Sequence, residues 1–169
     1  MGFESKILSR EISQIIWERN KTVGTAESCT GGRIAESLIS MPGASGYFKG
    51  SIVAYVDEIK ERLLGVDATL LAEKTAVSEE VAIEMVKGAI KALDVDYAIA
   101  VTGYAGPGGG THDTPVGTIW LACGTEDNIT TIKLEEDLGR DLNIFNATHH
   151  ALQMFLQFLH DTEEVKIEE

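Results

Sequence analysis

Cysteine is scarce in this chain of 169 residues: Cys29 and Cys123 are the only two, and they form no C-x-x-C pair. A disulfide framework and a cysteine-rich zinc module are thereby excluded, and a reducing, cytoplasmic setting is the expectation. Proline is limited to three residues, and histidine to His112, His149, His150 and His160. No apolar run approaches the roughly 18–20 residues of a membrane-crossing helix. Met1 to Arg10 is polar and mixed in charge, unlike a secretory signal. Basic residues are outnumbered, 14 Lys and Arg against 27 Asp and Glu, for a net charge of −13. A surface of that sign repels nucleic-acid backbones and anionic membranes, so neither is an expected partner. What is present is an ordinary globular balance, 44% apolar and 24% charged, with length for one domain and a full core. We expect that domain to span 1–160. The segment Asp161 to Glu169, with five acids and one lysine, is expected to be a solvated, frayed tail.

Helical spacing of Ile7, Leu8, Ile12, Ile15 and Ile16 predicts a first helix that ends near Asn20. A strand is expected at 22–27. A helix should follow from about Thr30, with Ile34, Ala35, Leu38 and Ile39 on one face, and stop at Pro42-Gly43. Tyr47 to Val56 reads as a strand, and Glu58 to Gly65 as a short helix closed by its glycine. Ser78, followed by Glu79 and Glu80, marks the start of a helix reaching about Leu93. Tyr97–Thr102 and Val116–Cys123 are nearly continuous apolar runs suited to central strands, whereas Ile129–Leu134 alternates like a one-faced strand. A last helix, Gly139 to His160, is expected to pack Phe145, Leu152, Phe155, Leu156 and Leu159. This order contains too few βαβ units for a doubly wound fold. A mixed sheet covered by helices, in the α/β class, fits it better.

Composition is most unusual between Thr102 and Gly117, which holds six of the 17 glycines and two of the three prolines. It is no P-loop, because no Gly-Lys-Ser/Thr closes it, and no helix pattern follows as in a dinucleotide fingerprint. Two readings stand: a cradle of backbone N–H groups for an anion or carbonyl oxygen, and a hairpin-like connection that needs positive φ. Ala26 to Gly32 is the second candidate. A strand ends and a helix begins there, with Ser28 just before a glycine pair whose N–H groups could hold an oxyanion. Ser28 or Thr30 could equally be the helix cap, the commoner role of such a residue. Cys29 is a rival nucleophile or a packing residue. The absence of Gly-x-Ser-x-Gly argues against an α/β-hydrolase. For a base the choices are His112, beside Asp113, and a desolvated Lys60. His149 and His150 point to different faces and make no metal pair.

Three segments carry a resemblance. Thr25-Ala-Glu-Ser-Cys-Thr-Gly-Gly32 is the first, and Tyr55 with Glu58, Lys60 and Leu63-Leu64-Gly65-Val66 the second. Val101-Thr-Gly-Tyr-Ala-Gly-Pro-Gly-Gly-Gly110 with Pro115-Val-Gly-Thr118 is the third. Together, over Ile7 to Phe158, they resemble the CinA C-terminal-domain family, which includes stand-alone nicotinamide-nucleotide amidases. The resemblance implies a three-layer α/β/α sandwich with a mixed central sheet. It implies hydrolysis of the carboxamide of nicotinamide mononucleotide to nicotinate mononucleotide and ammonia, with no metal and no cofactor. Ser28 would be the nucleophile and Lys60 its base, with Tyr55 orienting the lysine or shuttling the proton. N–H groups at Thr30, Gly31 and Gly32 would hold the oxyanion. Thr102, Gly103, Gly106, Gly108 and Gly109 would cradle the ribose and phosphate, with Arg140 supplying a cation. The expected partners are this small nucleotide and a second copy of the chain, a homodimer being the commonest assembly.

Three departures from the family pattern stand out. Relatives usually carry asparagine after a tyrosine-serine pair, where this chain has Val56 and Asp57. Thr114 replaces a lysine, and Ile144 or a near neighbour replaces the second of two arginines, the first being Arg140. Fewer cations predict a weaker hold on a phosphate. They also support an alternative reading, a non-catalytic or altered-specificity paralogue that binds a nucleotide-like ligand. Arg140, in a helix's first turn, opposes the dipole there unless an anion such as Asp137 or Asp141 pairs with it.

Overall fold

A computed structural model describes residues 3–162. Helix α1 (Phe3–Glu18) leads into strand β1 (Val23–Glu27), helix α2 (Arg33–Ile39) and strand β2 (Phe48–Val53). Three helices follow, α3 (Asp57–Leu64), α4 (Ala68–Lys74) and α5 (Glu79–Leu93). Strands β3 (Tyr97–Gly103), β4 (Ile119–Gly124) and β5 (Ile129–Leu134) precede the last helix, α6 (Arg140–Asp161). The strands form one sheet in the order β2-β1-β3-β4-β5. β1 runs parallel to both β2 and β3, while β3, β4 and β5 are successively antiparallel. The sheet is therefore mixed, with helices on both faces: α1, α2 and α6 on one side, α3, α4 and α5 on the other. This is the three-layer α/β/α arrangement expected from the sequence.

Side-chain size along the central strands tells the two faces apart. Tyr97, Ile99 and Val101 of β3 and Ile119, Leu121 and Cys123 of β4 point into the core shared with α1 and α6. Their neighbours Ala98, Ala100 and Ala122 face α5, together with Ala26 of β1. The pleat alternates the two sets, and the alanines let a helix with Val81, Met85 and Val86 on its inner face lie close to the sheet. Ser78 starts α5 as expected, its hydroxyl accepting from Val81 N–H at 3.4 Å. Gly65 closes α3 at φ 66°, a left-handed conformation that a glycine adopts without strain.

Helix α4 was not foreseen in the sequence. It has seven residues with only Leu71 buried, too short for a periodic signal, and it is started by Asp67, which accepts from Leu70 N–H at 2.9 Å. β2 and β4 are shorter than the apolar runs suggest, since 54–56 and 116–118 are loop. Ile39 and Phe145, expected inside, are about half exposed. The inner face of α2 is taken by Ile34 and Leu38, and one further residue turns Ile39 outward. Phe145 instead stacks on His149, with ring centroids 6.3 Å apart. Asp161, where a tail was expected to begin, is the last residue of α6, and 163–169 lie outside the described residues.

Gly88, in the middle of α5, sets the height of α3. A Cβ there would run into the backbone carbonyl of Leu64. Alanine is the better helix former by about 1 kcal/mol, but overpacking against backbone costs about 1–3 kcal/mol. We therefore expect Gly88→Ala to lower the unfolding free energy, measured in urea, in spite of its helix propensity. An increase in stability would show that α3 is free to move away.

Candidate active site

Parallel pairing brings the carboxyl ends of β1, β2 and β3 to one edge of the sheet. The chain leaves β1 toward β2 on one side and returns to β3 on the other, so a crevice opens at that edge, the usual place for a ligand in an α/β sheet. Ser28 directly follows β1, Tyr55 follows β2, and the glycine-rich loop follows β3. Two backbone bonds fix the approach to Ser28: its own N–H donates to the Val101 carbonyl at 3.0 Å, and Ala54 N–H donates to the Glu27 carbonyl at 2.8 Å. A cavity of about 470 Å³ lies over this edge, a size suited to a small ligand.

Lys60 is the chemical centre of the cavity. It lies in α3, it is 1% exposed, and its Nζ donates to Ser28 Oγ over 3.4 Å. Burial pushes the pKa of its ammonium down, while the carboxylate of Asp57, 3.8 Å from Nζ, pulls it the other way. The expected rival bases are elsewhere. His112 is fully exposed, paired with Asp113 at 3.2 Å and outside the cavity wall, and the other three histidines lie on α6 away from Ser28. Cys29 does line the cavity, but burial pushes its thiol up to about 12, so it holds its proton near neutrality.

The N-terminus of α2 departs from expectation. The carboxylate of Glu27, fully buried, accepts from the N–H groups of Gly32, Ile34 and Ala35 at 2.9–3.1 Å. It also accepts from the hydroxyls of Thr30 and Thr25 at 2.7 and 3.1 Å. Gly31 N–H donates to the Ser28 carbonyl at 3.0 Å. The Gly31 and Gly32 donors are thus already committed, and Thr30, Gly31 and Gly32 are not on the cavity wall. Neither Ser28 nor Thr30 caps the helix. The cap position is Gly32, at φ 99°, and the orphan N–H groups of the first turn are satisfied by an acid from the preceding strand. The sequence signal was an acid ending a buried strand immediately before a helix that has no ordinary cap.

From the glycine-rich loop, Thr102, Gly103, Gly106 and Gly108 line the cavity, whereas Gly109 is off its wall, where a Cβ would come within 3.1 Å of the Tyr104 ring. Thr102 uses its hydroxyl proton on the Ala76 carbonyl at 2.8 Å, tying the loop before α5 to β3. Arg140 reaches the cavity from α6. It donates to the Gly106 carbonyl at 2.8 Å and to the Tyr55 hydroxyl at 3.2 Å, and not to Asp137 or Asp141. Tyr55 therefore meets Arg140 rather than Lys60. Asn143, unnoticed in the sequence and 3% exposed, fixes this corner. Its amide donates to the Ala105 carbonyl and to Asp137, at 3.0 and 2.9 Å, and its oxygen accepts from Leu138 N–H at 2.9 Å. Thr114 pairs with Thr111 in a turn off the cavity wall, and Ile144 is in the core. Among the described residues no cluster of three or more His, Cys, Asp or Glu side chains could hold a metal, and no helix is long and apolar enough to cross a membrane.

The sequence and the overall fold both match a known group of proteins. The sequence profile of the CinA C-terminal domain matches residues 5–159. The Escherichia coli K12 nicotinamide-nucleotide amidohydrolase PncC is 42% identical over 157 residues, covering 92% of this chain and 95% of that protein. A CinA-like protein of Cytophaga hutchinsonii is 43% identical over 143 residues, 85% of this chain. This chain corresponds to only 34% of that longer protein. Among solved structures, the competence/damage inducible protein CihA of Agrobacterium tumefaciens superposes with a TM-score of 0.90 at 34% identity, covering 94% of this chain and 97% of that one.

Proposed function

The chain belongs to the CinA C-terminal domain family, and from that premise we propose that it hydrolyses the carboxamide of nicotinamide mononucleotide to nicotinate mononucleotide and ammonia. The observation that carries the reading is the contact of a buried lysine with a serine, Lys60 Nζ to Ser28 Oγ at 3.4 Å, at the floor of a cavity with Arg140 on its rim. Ser28 Oγ attacks the carboxamide carbon as its proton passes to the neutral amine of Lys60. Such proton transfer contributes about 10²–10⁴-fold. With Gly31 and Gly32 committed elsewhere, we assign the oxyanion to the N–H of Cys29, the residue directly after the nucleophile. When the intermediate collapses, the C–N bond breaks and Lys60 returns the proton to the departing nitrogen as ammonia. Water then attacks the acyl-serine, with Lys60 again as base, and Ser28 regains its proton as nicotinate mononucleotide leaves.

In this reading Arg140 holds the phosphate end. A guanidinium has five N–H donors, and only two are used on Gly106 and Tyr55. Tyr55 is then a positioning residue for Arg140. With Thr114 and Ile144 off the cavity wall, Arg140 carries most of the phosphate recognition. The test is ammonia release from nicotinamide mononucleotide and from its riboside, which lacks the phosphate. Arg140→Ala should raise KM for the nucleotide about tenfold with kcat little changed, the signature of lost uniform binding, and leave the riboside unaffected. No ammonia from the nucleotide at millimolar concentration with the unaltered chain overturns the proposal.

A further inference from the structure

Asp57 has no place in the mechanism above, yet it is the one acid among the described residues that line the cavity. Its carboxylate lies 3.8 Å from Lys60 Nζ, which is itself 3.4 Å from Ser28 Oγ, so carboxylate and nucleophile are within about 7 Å of each other. The other charged groups of the wall, Lys60 and Arg140, are both cationic. When Lys60 gives up its charge to act as a base, Asp57 is left without a counterion inside the cavity. A cation arriving with the substrate supplies a new one.

We propose that Asp57 is a specificity-determining residue that favours substrates whose ring, next to the scissile carboxamide, carries a fixed positive charge. The proposal rests on the amidase reading, which puts the carboxamide carbon at Ser28. In an N-ribosylated 3-carbamoylpyridinium the charged nitrogen is meta to the carboxamide, one ring's width from that carbon and within Coulomb range of Asp57. A neutral ring of the same shape gains nothing from the carboxylate and leaves it uncompensated. Asp57 is more than half exposed, so water screens the attraction, and a preference of about three- to tenfold is expected.

Two ligands of one shape test this: nicotinamide mononucleotide, and the benzamide C-nucleotide, in which a carbon replaces the pyridinium nitrogen. Their affinities are measured by calorimetry on Ser28→Ala protein, where no turnover interferes. That protein should bind the pyridinium ligand about three- to tenfold more tightly than the neutral one. Adding Asp57→Asn should reduce the preference to within about twofold, through weaker binding of the cation alone, and Asp57→Glu should restore it. A preference that survives Asp57→Asn, or a parallel loss for both ligands, overturns the proposal, since a carboxylate that merely held Lys60 in place would affect the two alike. The amidase reading is judged separately, by ammonia release with Ser28 intact, so either idea can fail alone.

Discussion

Ser28→Ala and Lys60→Met are each expected to lower the rate of ammonia release by about 10²–10⁴-fold or more, while Lys60→Met makes the folded protein more stable. Cys29→Ala should keep most of the rate, because its thiol stays protonated and its N–H remains. Lys60 is nearly fully buried, with one partly exposed carboxylate nearby, so the native state bears most of the cost of its charge. Methionine has a similar length and no charge. Its unfolding free energy should exceed that of the parent by about 1–4 kcal/mol.

The pH dependence separates the two roles of Lys60. Its pKa lies below the ordinary lysine value because burial disfavours the ammonium. Only the neutral amine can take the proton of Ser28, so kcat/KM should climb with pH through that lowered pKa and fall away below it. Stability follows the same direction. Between the lowered value and the ordinary one the unfolded chain binds more protons than the native one, so stability rises with pH across that window and is least below it. Both slopes should vanish in Lys60→Met. An ascending limb that persists in the variant would remove Lys60 as the base.

Glu27→Gln carries the second large effect, expected as a loss of about 3–5 kcal/mol in unfolding free energy. The carboxylate meets five donors, two hydroxyls and three N–H groups, and no unpaired acceptor. An amide offers one oxygen, and whichever way it turns its NH₂ meets at least one backbone N–H that can only donate, although the threonine hydroxyls can accept. Each buried N–H left without a partner costs about 1–3 kcal/mol, and the dipole of α2 loses its anion. For a chain of this size the loss corresponds to a fall in Tm of roughly 10 °C. Thr30→Ala, which removes one hydroxyl donor, should cost only about 1 kcal/mol. A Tm for Glu27→Gln within about 2 °C of the parent would show that the N-terminus of α2 does not depend on this charge.

Legibility in the sequence tracked how local each cause was. The helices α1, α5 and α6 and the strand β3 carry long periodic or continuous apolar patterns, and their extents agree with expectation to within a few residues. α4 buries one side chain and left no pattern. Ser28 and Lys60 could be singled out by type and by resemblance, but their contact belongs to the packing of α3 against the sheet edge. A lysine in a short polar helix gives no sign of its own burial. Of the expected oxyanion donors, Gly32 N–H is claimed by Glu27, a residue from the strand that reaches forward as far as Ala35, and Gly31 N–H by the Ser28 carbonyl. Tyr55 finds a partner 85 positions along the chain, and Asn143 looks like any polar residue on a helix until the Ala105 and Leu138 backbones are brought to it.

The mixed sheet also orders the events of folding. β3, β4 and β5 form a meander, with β4 and β5 joined by a short turn at Gly124 and Ile129, so that half assembles from neighbouring residues. β1 must find β3 across about seventy residues, with β2 and four helices between them, and closing so long a loop is slow. The edge that holds Ser28, Lys60 and Arg140 is built from that late, non-local half. Chains caught partway through refolding would thus have the meander in place and no assembled cleft, and the proposed ammonia release would be the last property of the native state to arrive.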